Sequence, residues 1–303
     1  MNIPFIKYSK FFLSFSIVVT VVALMSLFFW GLKPGIDFTG GSLMELNFAN
    51  NRPETSEVQQ VLGEMDYRSV TIQKTGEKGL IIRTAFLTED KHQEVLQNIK
   101  DSFNQDDNMV VESSFQTIGP SVSQQLRQRS LWAIILVSLG IIFYIAYAFR
   151  KVSKPVASWK YGALAIVAMI HDVLLVVGVF AFLGKFAGVE VDVAFVVAML
   201  TVIGYSINDT IVVYDRIREN LLHHTSWSFA DLVNYGLNQT MMRSINTTLT
   251  TLLPLLALYF FGGATIHNFV LALLIGIASG AYSSIFIASP LLVLVEKWQA
   301  RRA

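Results

Sequence analysis

Long uncharged runs alternate with short polar or basic segments along this chain. About 20 apolar residues at 1.5 Å rise cross roughly 30 Å of hydrocarbon, so runs of that length predict membrane-spanning helices. Six occur, at residues 11–32, 130–149, 161–184, 193–214, 244–266 and 268–295, and aspartates interrupt the third and fourth. The stretch between the first two runs has a different rhythm. Val58, Val61, Leu62 and Met65 repeat at helical spacing behind Thr55 or Ser56 as cap, and Val95, Leu96, Ile99 and Phe103 do so behind Thr88-Glu89-Asp90. Strands are expected at 42–48, 70–74, 80–86 and 109–118, with Thr75-Gly76-Glu77-Lys78-Gly79 as a hairpin turn. The predicted fold is an all-α membrane bundle of six helices with an inserted α+β domain of βαββαβ, ferredoxin-like order. Its parts are the N-terminus and first span at 1–32, the inserted domain at 33–129, and spans two to six at 130–303 with an amphipathic cytoplasmic loop at 215–240.

Composition agrees with burial in lipid. A hydrophobic share of 53% and a mean hydropathy of +0.52 exceed what soluble chains carry. The 23 basic and 22 acidic residues nearly cancel, which argues against a nucleic-acid partner. Their placement is informative. Lys7 and Lys10 precede the first run, Arg150, Lys151, Lys154 and Lys160 fill the segment after the second, and Lys297, Arg301 and Arg302 follow the sixth. The opposite loops carry only Lys185, so both termini are expected in the cytoplasm and 33–129 outside it. Gly31-Leu32-Lys33-Pro34 is no small-x-small cleavage site, and the first run is expected to stay as an anchor. With no cysteine, the outer domain must fold without disulfides.

Ionisable groups inside the hydrocarbon cost a few kcal/mol and call for a function or a partner. Asp209 lies seventeen residues after Asp192, about 25 Å along a helix starting there. Ala198, Thr201, Tyr205 and Asp209 share a helix face, with Asn208 beside the aspartate. On the fifth run Arg243, Thr247, Thr250, Thr251 and Pro254 share a face, and two polar faces in lipid are expected to meet. Asp209 and Arg243 then form either a static pair with hydroxyl glue or a proton site whose affinity is set by desolvation and the guanidinium. His171-Asp172, near the middle of the third run, admits the same two readings without a matching cation. Ala272, Gly276, Gly280, Ser284 and Ala288 form a small-residue stripe for close helix packing, within the chain or against a partner.

Nothing in the inserted domain suggests chemistry, and His92 reads as a solvated helix residue. No His-Glu-x-x-His, serine-lysine pair or metal-ligand spacing occurs, so neither an enzyme nor a cofactor or metal site is expected. Residues Tyr214 to Asn220, followed by Trp227, Phe229, Leu232, Val233 and Leu237, suggest an amphipathic helix at the cytoplasmic interface, serving as a structural elbow between spans or as a partner-binding surface.

Gly35-Ile36-Asp37-Phe38-Thr39-Gly40-Gly41 and the segment from Val202 through Asn208-Asp209-Thr210 to Asn220 resemble the SecF family, the smaller membrane component of bacterial SecD-SecF export complexes in the resistance-nodulation-division superfamily. Ile118-Gly119-Pro120-Ser121-Val122, His171-Asp172-Val173 and Arg243-Ser244-Ile245-Asn246-Thr247-Thr248 extend the resemblance, which runs over about residues 31–296. Ser123 departs from it, standing where a glycine is common. The resemblance implies a subunit driven by the proton-motive force that helps the Sec translocon complete export. It also implies Asp209 as proton carrier and Arg243 as its companion. From their positions on the same runs, Asp172, His171, Tyr205, Asn208 and Thr247 are candidates to support a proton path. The implied partners are SecD, the SecYEG translocon, YajC, exported unfolded polypeptides and membrane lipid. The alternative is a self-associating, proton-coupled exporter of small molecules or lipids.

Overall fold

The computed structural model describes residues 3–67, 70–104, 108–148, 156–224 and 226–301. They divide into two compact units, one of residues 34–131 and one of residues 1–33 with 132–303. The basic residues Arg150, Lys151, Lys154 and Arg302, on which orientation partly rests, lie outside the described residues.

In chain order, α1 (Ser9–Trp30) precedes the smaller unit, which contains α2 (Ile36–Thr39), β1 (Gly41–Phe48), α3 (Thr55–Glu64), β2 (Thr71–Thr75), β3 (Gly79–Thr84), α4 (Glu89–Phe103) and β4 (Val110–Ile118). The four strands form one antiparallel sheet in the order β2-β3-β1-β4. Alternation decides which face of β1 is buried: Met44, Leu46 and Phe48 point inward and meet Leu80 and Ile82 of β3. Val58 and Leu62 of α3, with Val95 and Ile99 of α4, close the other side of that core. Gly41 has φ of 119°, and a Cβ there would lie 2.6 Å from the Thr84 carbonyl oxygen, so only glycine fits where β1 starts.

Two details differ from expectation. The cap of α3 is Glu54 rather than Thr55 or Ser56, and Glu54 with Glu57 closes a reciprocal capping box. His92 is not solvated: it is 4% exposed, stacks on Phe115 at 3.6 Å, and its Nε2 lies 2.7 Å from Glu112 Oε1. A helix periodicity that marks Val95, Leu96 and Ile99 as inward also places His92 on that face, one turn earlier.

The larger unit holds α1 and α6 (Ser158–Phe186), α7 (Val193–His223), α8 (Phe229–Phe261), α9 (Ala264–Ser283) and α10 (Ser289–Ala300), the last two joined by a π turn at Ser284–Ala288. The boundary with the smaller unit falls within α5 (Pro120–Ala148). Among the described residues six helices, counting α9 to α10 as one, are long and apolar enough to cross a membrane. Segment 215–240 is not a separate interfacial helix. It is shared between the end of α7 and the start of α8, where Ile217, Val233 and Leu237 are buried in a core with Tyr214 and Tyr161. Its apolar positions keep helical spacing, and the face they form serves a helical hairpin that acts as an elbow between α7 and α8.

The small-residue stripe packs inside the chain. A Cβ on Gly276 would lie 2.2 Å from Val202 Cγ2, and one on Gly280 would lie 3.1 Å from Ser206 Cα. These contacts seat α9 on α7, which also touches α6 and α8.

Candidate functional site

The close approach of α9 to α7 creates a polar layer in an otherwise apolar bundle. Asp172, on α6, is fully buried and accepts four hydrogen bonds. Ser279 Oγ donates to Oδ1 at 2.6 Å, Ser206 Oγ and Ser283 Oγ donate to Oδ2 at 2.6 Å each, and His171 Nδ1 lies 3.0 Å from Oδ1. A carboxylate has about four lone-pair sites, so this one is saturated. Its donors come from three helices, and the carboxylate ties α6, α7 and α9 together.

Asp209, on α7, is 7% exposed and differently served. Ser244 Oγ of α8 donates to Oδ1 at 2.7 Å, while Oδ2 is buried without a hydrogen-bond partner. Leaving such an acceptor unpaired costs about 1–3 kcal/mol, a penalty that ordinary structural residues avoid. Next to it, Thr210 Oγ1 and Ser284 Oγ lie 2.9 Å apart, at the first residue of the π turn. Such turns relax the regular ladder and recur at functional positions in helices.

The remaining predicted residues are placed as follows. Arg243 is exposed on α8 and lies beyond 4.0 Å of the Asp209 carboxylate, near enough for its charge to act on it. Tyr205 donates its hydroxyl to Thr248 Oγ1 at 3.3 Å, bridging α7 and α8. Asn208 and Thr247 are exposed, and the Thr247 hydroxyl donates to the carbonyls of Arg243 and Ser244 on its own helix. Thr250 and Thr251 likewise bond their own backbone. The threonine-rich face of α8 therefore does not meet α7. The buried face of α8 carries Thr240, Ser244 and Thr248, four residues apart, and Ser244 is the contact with Asp209.

Sequence reasoning missed Ser206, Ser244, Ser279 and Ser283. A signal existed: Ser279 and Ser283 are spaced i, i+4 in an apolar run, and Ser206 is three residues before Asp209. Serine bonds its own helix so readily that its spacing alone did not separate glue from ligand. Among the described residues no group of three or more His, Asp or Glu could hold a metal ion.

These features define a multi-pass membrane protein with two unlike carboxylates in its helix core, one saturated and one half-served. A family model described as "Protein export membrane protein SecD/SecF, C-terminal" matches residues 98–298, and one for the SecD/SecF GG motif matches residues 26–51. The protein translocase subunit SecF of Thermobaculum terrenum is 45% identical over 97% of this chain and 94% of that protein. The SecF of Anaerolinea thermophila is 38% identical over 99% of this chain and 96% of its own length. The crystal structure of SecDF, a translocon-associated membrane protein from Thermus thermophilus, superposes with a TM-score of 0.83 at 32% identity, covering 98% of this chain and 39% of that one. The chain belongs to the SecD/SecF family of protein-export membrane proteins, in its SecF branch.

Proposed function

We propose that this chain works with SecD as an inner-membrane subunit of the Sec translocase, and that the proton-motive force acting on Asp209 drives a late stage of export. The observation that carries the reading is the Asp209 carboxylate: buried, bonded through Oδ1 to Ser244 of α8, and with Oδ2 lacking a hydrogen-bond partner among the described residues. The membrane potential supplies about 2.3 kcal/mol per elementary charge per 100 mV, enough to shift a two-state helix arrangement more than tenfold.

The case for SecD rests on surface as well as kinship. Thr201 and Asn208 of α7, with Arg243, Asn246, Thr247 and Thr250 of α8, are exposed along helices that are otherwise apolar. Polar and cationic groups at membrane depth need a protein surface to cover them. A second six-span unit supplies one, and this chain spans about two fifths of the solved SecDF chain, which leaves room there for such a unit. On this reading Arg243 reaches Asp209 or a partner carboxylate when α8 moves.

Both termini lie in the cytoplasm and residues 33–129 outside it, where the antiparallel unit, read as ferredoxin-like, contacts emerging unfolded polypeptide and performs no catalysis. SecYEG and YajC are the further contacts, and the chain is not an enzyme. The deciding experiment is export into vesicles carrying the whole complex, with and without a proton gradient. Asp209→Asn keeps the side chain's size and should assemble normally yet lose the response to the gradient. An unchanged response would leave Asp209 as structural glue.

A further inference from the structure

A groove opens on the larger unit where α1, α6, the π turn and α10 do not close on one another. It holds about 620 Å³, and its walls are mainly apolar, with Leu13, Ile17 and Val21 of α1, Ile170 and Leu174 of α6 and Leu291 of α10 among them. From Lys10 to Val21 the lining climbs α1 by about 16 Å at 1.5 Å per residue. That is the depth of one leaflet, because the hydrocarbon core of a bilayer is roughly 30 Å thick. A spanning helix of another chain would need a seat along the whole thickness.

One end of this groove is basic. Lys10 lines it and is exposed, Lys7 stands about one turn earlier on the chain, and Lys297 lies three residues beyond Leu294, the last groove residue of α10. Among the described residues none of these three lysines forms an ion pair, although α10 carries a carboxylate at Glu296. Tyr8 and Trp298, 54% and 52% exposed, stand at the same end. Aromatic rings with one polar edge settle at headgroup depth, so the lysines are level with phosphates and the groove beyond them with acyl chains.

We infer that the groove seats one acyl chain of an anionic phospholipid, whose phosphate is held by Lys10 with Lys7 and Lys297 in support. The inference goes beyond the export reading and does not depend on Asp209. Charge selects the headgroup. Unpaired ammonium groups attract a headgroup with net negative charge, whereas a zwitterionic one brings a cation of its own that they repel. Length and apolar lining select the chain below it. A chain lodged there adds dispersion contacts with α1, α6 and α10 at once, and so steadies the seat of α1 against the other two helices.

The test places the full chain, alone and assembled with SecD, in nanodiscs of phosphatidylcholine doped with phosphatidylglycerol that carries a photoreactive acyl chain. Cross-links should concentrate on residues 10–21, 167–174 and 287–294, and unlabelled phosphatidylglycerol should compete for them better than phosphatidylcholine with the same chains. A lysine beside an anionic lipid contributes about a fivefold preference, so Lys10→Gln should reduce the preference by about that factor. Lys185→Gln, in the last turn of α6, should leave it unchanged. Ser14→Trp, at an exposed position of the groove, fills the seat and should remove the concentrated labels whatever the headgroup. Labels spread evenly over all the spans, or a Lys10→Gln protein with its preference intact, would mean a loose lipid shell only and overturn the inference. Cross-links that disappear once SecD is present would overturn it too, by giving the groove to a partner helix.

Discussion

Gly280 of α9 lies so close to Ser206 of α7 that a Cβ on it would stand 3.1 Å from the serine Cα, and the same serine reaches Asp172 Oδ2 at 2.6 Å. The small residue and the buried carboxylate therefore belong to one arrangement. Ser279 and Ser283, on either side of Gly280 in sequence, reach the same carboxylate from α9. Close packing here places three hydroxyls around one charge.

This arrangement predicts a sharp contrast between glycines. Gly276→Leu puts a side chain where a Cβ already lies 2.2 Å from Val202, whereas Gly140→Leu on α5 meets nothing within 4 Å. Overpacking of this kind costs about 1–3 kcal/mol or more. Thermal unfolding of the isolated chain in detergent should show a clear loss for Gly276→Leu and little change for Gly140→Leu. Equal stability of the two would place the stripe at an interface with another chain.

In the smaller unit, His92 joins α4 to β4 through its stack on Phe115 and its contact with Glu112. His92→Ala removes both and opens a gap beside Phe115, with the half-buried Glu112 carboxylate losing its partner, at a cost of about 1–3 kcal/mol. Hydrogen exchange on the intact protein should show α4 and β4 opening more readily, with the helices of the larger unit unaffected. Exchange that rises equally in both units would contradict this.

The membrane helices and the four strands were legible because hydrophobic period and length suffice for them. The polar layer was legible only in part. Asp172 and Asp209 stand out because an aspartate in an apolar run is rare, but which faces of α7 and α8 meet is settled by Ser244 and Thr248, two small side chains that spacing rules do not distinguish from Arg243 and Thr247 on the neighbouring face. His92 was misread for a related reason. A polar residue on an apolar helix face is buried only if strands elsewhere in the chain supply its partners, here Glu112 and Phe115.

Acid should loosen the start of α3. Hydrogen bonding and the charge of Lys74, 2.9 Å away, hold the Glu54 carboxyl below its usual value, and the same carboxylate caps the helix. A lowered value means that the stabilisation is complete above the ordinary carboxylate range and disappears as pH falls through the lowered one. Exchange protection in the first turn of α3 should therefore fall in acid, and high salt should weaken it at neutral pH because the pair is exposed. Glu54→Gln should show little of this pH dependence. An identical acid response in that variant would assign the effect to another group.

The sharpest test of Asp209 is its donor on α8. Ser244 Oγ donates to Oδ1 at 2.7 Å, so Ser244→Ala removes that bond without touching the titrating group itself. Hydrogen bonds to charged groups contribute about 1.5–3 kcal/mol, so losing this one is large enough to be read in a pH profile. If Asp209 carries the driving proton, gradient-driven export by Ser244→Ala complexes should persist while its pH profile moves. Asp209→Asn should flatten the profile altogether. Arg243→Lys keeps the charge on the exposed face of α8 but loses the planar fork, and should lower the rate more than it moves the profile if the guanidinium acts by docking onto a partner. A Ser244→Ala profile that coincides with that of the unaltered protein would mean that Asp209 is not the group that titrates, and the half-served carboxylate would have to be explained by packing alone.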